Sequence, residues 1–107
     1  MKGNEYQELA LRTAQLKTVG KPKTILNCAL GLAGEAGEFA DHLKKAEFQG
    51  HDFDKVHQIN ELGDILWYVA VAAAAMDCDL ETVMKINVNK LQRRFPEGFS
   101  VERSINR

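Results

Sequence analysis

The sequence predicts an all-α fold, a four-helix bundle-like protomer, on three observations. Only two prolines occur, Pro22 and Pro96, and the 73 residues from 23 to 95 are rich in the helix formers Ala, Leu, Glu and Lys. No segment alternates apolar and polar residues between turn signals as a half-buried strand does. Apolar residues instead recur at helical spacing, as in Leu32, Ala36, Phe39 and Leu43.

Four helices follow in order. The first is expected from about Asn4 to Thr18, with Asn4 as N-cap and Leu9, Thr13 and Leu16 on one face. It ends at the break Val19-Gly20-Lys21-Pro22. The second is expected from Thr24 or Ile25 to Phe48, stopping near Gly50. The third runs from about Phe53 to Met76, with Asp52 or Asp54 at its start. The fourth starts near Asp79 and ends before Pro96. Short connections predict antiparallel neighbours throughout.

A chain of 107 residues with 45% apolar and 27% charged residues is expected to form one globular domain, 1–107. Fourteen basic residues balance fifteen acidic ones, which argues against a nucleic-acid polymer as partner. Cys28 and Cys78 belong to no CxxC or metal-type spacing and are expected to be buried free thiols. Met1–Arg12 is polar and unlike a signal peptide. The longest apolar run, Ile65–Met76, is far short of the roughly 20 residues that span a membrane. A cytoplasmic protein without a membrane partner is expected. That run is apolar nearly all round and needs cover on more than one side. A second copy is the simplest source, so a homodimer or homotetramer is expected, with Val71 or Ala74 near the contact.

The chemistry is expected on the second and third helices. Glu35 and Glu38 are spaced i, i+3, as are Glu61 and Asp64, so each pair projects from one face. The stripe His57, Glu61, Asp64, Tyr68 continues into Val71, Ala72 and Ala75, so it faces the interior. Two antiparallel helices then bring four carboxylates into a half-buried seam, where they must take up protons or bind a cation. An all-oxygen donor set suits Mg²⁺, Mn²⁺ or Ca²⁺. Di-iron bundles add Glu-x-x-His pairs, which are absent. His42 and His57 read as surface or helix-end residues more readily than as ligands. Gly31, Gly34 and Gly37 each weaken a helix interior, which points to close approach by another helix or a ligand. Asn87, Lys90 and Arg94 share a face of the fourth helix, suited to phosphate oxygens beside a metal. No P-loop, EF-hand loop or Gly-x-Ser-x-Gly elbow occurs.

These residues resemble a known family. Gly31-Leu-Ala-Gly-Glu35-Ala-Gly-Glu38, a spacer of 22 residues (39–60), and Glu61-Leu-Gly-Asp64-Ile-Leu-Trp67-Tyr68 are similar to the MazG-like nucleoside triphosphate pyrophosphohydrolases of the all-α NTP pyrophosphatase superfamily. Asn87-x-x-Lys90-Leu91-x-x-Arg94-Phe95-Pro96 matches as a third element, and Tyr6-Gln7 with Arg12-Thr13-Ala14 resembles the start of short single-domain members. The resemblance implies a helical dimer, or tetramer of dimers, that hydrolyses a nucleoside triphosphate to monophosphate and pyrophosphate. It implies Mg²⁺, or Mn²⁺ in its place, on Glu35, Glu38, Glu61 and Asp64. Glu35 or Glu38 would also activate the attacking water. Asn87 and Lys90 would contact the substrate, with Arg94 and Lys45 as weaker candidates. A hydrolase of nucleoside diphosphates or alarmones, and a non-catalytic helical interaction module, are the competing expectations.

Overall fold

The computed structural model describes residues 1–107, all helix and loop without a strand. Six helices follow in order: α1 Gly3–Leu11, α2 Leu16–Val19, α3 Lys21–Phe48, α4 Lys55–Ala75, α5 Leu80–Arg94 and α6 Val101–Ile105. The long antiparallel pair α3 and α4 forms the main packing unit, with α1 and α5 set against α4.

The expected first helix is two pieces. It ends at Leu11, where a distant residue captures one of its last carbonyls, that of Ala10. The Trp67 Nε1–H of α4 donates to the Ala10 carbonyl at 3.2 Å and to Thr13 Oγ1 at 2.9 Å. Thr13 Oγ1–H also donates to the Ala10 carbonyl, at 3.0 Å. The chain then turns into the single turn of α2. Asn4 is not the N-cap; Lys2 occupies that position.

The second helix starts earlier than expected, at Lys21. Pro22 falls in its first turn, where a missing N–H costs nothing. Gly20, at φ 90°, makes the reversal from α2. At the other end, Gly50 (φ 71°) follows the α3 C-terminus. Asp54 Oδ1 accepts the His57 N–H at 3.0 Å, and Asp79 Oδ1 accepts the Thr82 N–H at 2.7 Å, capping α4 and α5. The Thr82 hydrogen bonds hold the Asp79 carboxyl below the usual carboxylate range. An additional helix, α6, follows Pro96; Ser100 Oγ caps it by accepting the Arg103 N–H at 3.0 Å.

The core is small. Ala10, Cys28, Ala70, Val71 and Leu80 form it, flanked by Tyr6, Trp67 and Tyr68. Gln7 ties it together: its Nε2 donates to the carbonyls of Ala70 (3.0 Å) and Cys78 (3.1 Å), and its Oε1 accepts the Leu80 N–H (3.1 Å). Cys28 is buried, which pushes its thiol pKa up; Cys78 is only partly buried, contrary to expectation.

One chain does not close a four-helix bundle. α4 and α5 meet at a bend of 103° rather than as antiparallel neighbours. The radius of gyration is 16.8 Å, against about 13 Å for a compact domain of roughly 100 residues. Of the two residues expected near a subunit contact, Ala74 is half-buried and Val71 is buried. Val71 is 1% exposed within the protomer and therefore has no surface for a second copy. Exposed apolar side chains include Leu26 and Leu30 (67% exposed) of α3 and Val56, Ile59, Leu62 and Leu66 of α4. No single helix is long and apolar enough to cross a membrane.

Candidate metal centre

The seam between α3 and α4 brings acidic residues from both helices together. One carboxylate oxygen from each of Glu35, Glu38 and Glu61 lies within 4.8 Å of the other two. The helical repeat explains this: Glu35 and Glu38 stand one turn apart on α3, facing Glu61 on α4. Burial is graded across the trio. Glu61 is 6% exposed, Glu35 is half-buried and Glu38 is exposed at the rim.

Two carboxylate oxygens of these residues lack partners. Glu35 Oε2 and Glu61 Oε2 are buried and accept no hydrogen bond from the protein. A buried acceptor without a donor costs about 1–3 kcal/mol, more when charged. The crowding favours a proton on Glu35. A proton on Glu35 would be shared with Glu61; that hydrogen bond, desolvation and the charges of Glu61 and Asp64 together hold the Glu35 carboxyl above the usual carboxylate range. Carboxylates of this kind, converging without a cationic side chain between them, fit a divalent cation.

Asp64 stands outside the trio. It is exposed and lines an adjoining cleft of about 330 Å³ with Glu35, Trp67 and Tyr68. Trp67 and Tyr68 meet edge-on, with ring centroids 5.0 Å apart, and wall the cleft. Tyr68 explains one of the three glycines: a β-carbon at Gly31 would overlap its ring. Gly34 and Gly37 have nothing within 4 Å of that position.

Other contacts at the site bring in residues that the carboxylate motif does not mark. His57 Nε2 lies 3.2 Å from Glu61 Oε1, and the His42 ring packs on His57 with centroids 3.7 Å apart. Gln58 is buried beside them and donates from Nε2 to the Phe39 carbonyl at 3.1 Å. Burial, with a smaller contribution from the Asp64 charge, pushes the phenol pKa of Tyr6 of α1 up. The His57–Glu61 spacing of four was legible in the stripe on α4. The approach of Tyr6, far away in sequence, carried no local signal.

The basic candidates lie apart. Lys45 pairs with Asp41 Oδ2 at 2.9 Å on its own helix, and that pair holds the Asp41 carboxyl below its ordinary value. Asn87, Lys90 and Arg94 are on α5, which runs nearly perpendicular to α4, and none of them bonds to the four carboxylates within the protomer. Arg94 instead lines a cavity of about 460 Å³ with Arg93, Arg103 and Arg107.

Residues 23–99 match the family model of the MazG nucleotide pyrophosphohydrolase domain. The chain belongs to the MazG family. The matched span holds the whole carboxylate set and the α5 candidates, and leaves α1, α2 and α6 outside it. This MazG domain is also 46% identical over 76 residues to the Gene 37 protein of Mycobacterium phage L5, covering 64% of each chain. It therefore spans a little under two thirds of that relative's length. No solved structure matches the chain.

Proposed function

We propose that this MazG domain is a cytoplasmic, Mg²⁺-dependent nucleoside triphosphate pyrophosphohydrolase that yields a monophosphate and pyrophosphate. The observation that carries the reading is the pair of buried, unpartnered oxygens, Glu35 Oε2 and Glu61 Oε2, on two carboxylates that converge with Glu38 in a chain of this family. Glu35, Glu38 and Glu61 would hold the ion, with Asp64 completing the set from the adjoining cleft; Mn²⁺ would serve in place of Mg²⁺.

When bound, the ion screens the polyphosphate charge and stabilises the leaving pyrophosphate. The chain's own residues do the remaining work. Glu38, at the rim, is the group assigned to the attacking water, with Glu35 as the second candidate. Water oxygen bonds to the α phosphorus, the bond from that phosphorus to the bridging oxygen breaks, and the carboxylate takes the water proton. Asn87 and Lys90 would bind phosphate or sugar oxygens, and Arg94 would add charge at the leaving group. Lys45, already paired with Asp41, is the weakest of the set.

A homodimer or homotetramer belongs to the same proposal. The support is the open protomer and the exposed apolar side chains of Leu26, Leu30, Ile59, Leu62 and Leu66. An assembly would also let α5 of one copy approach the seam of another.

The test is a panel of the common nucleotides with Mg²⁺, reading pyrophosphate against orthophosphate. Pyrophosphate released from a triphosphate supports the proposal. Turnover confined to diphosphates or alarmones replaces the substrate. No turnover, together with no rise in melting temperature on adding Mg²⁺, leaves a helical interaction module.

A further inference from the structure

Glu61 offers its two oxygens to different surroundings. Oε1 lies 3.2 Å from His57 Nε2, whereas Oε2 is buried without a hydrogen-bond partner, in a residue whose carboxylate converges with those of Glu35 and Glu38. The His57 backbone is capped on its own helix, and its ring is packed from the opposite one. Asp54 Oδ1 takes the His57 backbone N–H at 3.0 Å, and the His42 ring of α3 packs over the imidazole at 3.7 Å with a tilt of 44°.

We propose that His57 is a positioning residue for the metal centre. Its Nε2–H donates to Glu61 Oε1 and so aims Oε2 at the divalent cation, while His42 holds the imidazole in place from the opposite helix. The inference rests on the metal-site reading above and assigns roles to two residues outside the carboxylate motif.

The physical reason is rotational freedom. The terminal torsion of a glutamate is broad, so an untethered carboxylate must be ordered when the ion binds. A hydrogen bond to the far oxygen orders it beforehand. Partners of this kind typically change metal affinity by about ten- to a hundredfold. Gln58, the buried amide next in sequence, directs its Nε2 at the Phe39 carbonyl.

The test is a Mn²⁺ titration of the full chain, following the paramagnetic resonance signal of the free ion. It compares the unmodified protein with His57→Gln, His57→Asn, His42→Ala and Glu61→Gln. A glutamine amide nitrogen reaches about as far as imidazole Nε2, whereas an asparagine amide ends short of Glu61. His57→Asn is expected to weaken Mn²⁺ binding by about ten- to a hundredfold, and His57→Gln by no more than about threefold. His42→Ala, which keeps the donor but releases the ring, is expected to fall between them. Melting temperatures in chelator are expected to agree between the two His57 variants, which separates positioning from a general loss of fold.

Equal affinity of His57→Asn and the unmodified protein overturns the proposal, as does an equal loss in the Gln and Asn variants. Unchanged affinity in His42→Ala removes the ring clamp. If unmodified protein and Glu61→Gln bind Mn²⁺ alike, the metal-site reading fails first and this inference falls with it.

Discussion

Gly31 on α3 and Tyr68 on α4 pack so closely that a β-carbon at position 31 would overlap the tyrosine ring. The missing side chain lets the two helices approach beside the carboxylate trio, and it leaves Tyr68 as a wall of the adjoining cleft. Gly31→Ala is therefore expected to destabilise the protein. Overpacking costs about 1–3 kcal/mol, offset in part by a helix-propensity gain of about 1 kcal/mol. In a Tyr68→Ala background the overlap is gone, and the same change is expected to stabilise by up to about 1 kcal/mol. A double-mutant cycle in urea measures the difference; additive effects would mean that the contact is not made.

The acidic trio predicts a pH dependence. Glu35 has its pKa raised by its hydrogen bond to Glu61, by desolvation and by the charges of Glu61 and Asp64. The folded chain then binds that proton more tightly than the unfolded chain. Its contribution is most favourable below the ordinary glutamate value of about 4.3. It is lost as the pH rises from there through the raised value. In chelator, the urea midpoint of the unmodified protein is expected to fall across that window relative to Glu35→Gln. Parallel profiles for the two proteins would contradict the shared-proton description.

Metal binding requires charge as well as shape. Glu38→Gln and Asp64→Asn are each expected to abolish turnover while leaving helical circular dichroism unchanged. Both positions are exposed, so neither substitution disturbs the core. The Mg²⁺-induced rise in melting temperature is expected to shrink in both. Full activity in both variants would remove the metal-site reading.

Lys90 tests the role of α5. A charge-assisted hydrogen bond to a phosphate oxygen contributes about 1.5–3 kcal/mol, so Lys90→Ala is expected to lower kcat/KM by roughly ten- to a hundredfold. A change in KM alone means contact in both ground and transition states, and a fall in kcat means that the contact tightens as pyrophosphate leaves. Lys90→Arg is expected to rescue only partly, because the planar group presents its charge differently. Steady-state kinetics at saturating Mg²⁺ reads all three, and unaltered constants in Lys90→Ala would return this residue to the solvated surface.

What was legible in the sequence was what depends on helical repeat. The carboxylates at 35, 38 and 61 meet because two long helices with i, i+3 pairs pack antiparallel, and Asp54 and Asp79 cap as their positions suggest. What was not legible depends on distant partners. α1 stops at Leu11, where Trp67 takes the Ala10 carbonyl, a contact across 57 residues. The α4–α5 bend is held by Gln7, which reaches the Ala70 and Cys78 carbonyls and the Leu80 N–H at the corner. Asn4 looked like a local cap. Instead its N–H and Oδ1 clasp Glu81 Oε2 and N–H, each at 2.9 Å, joining the starts of α1 and α5. Val71 looked available to a second copy because an apolar run does not reveal which of its faces the chain itself covers.

The most direct test of the proposed reaction is to run it in heavy-oxygen water with Mg²⁺ and a nucleoside triphosphate and to weigh both products. Attack of water on the α phosphorus predicts the label in the monophosphate and none in the pyrophosphate. Label in the pyrophosphate, or orthophosphate as the released product, would contradict it.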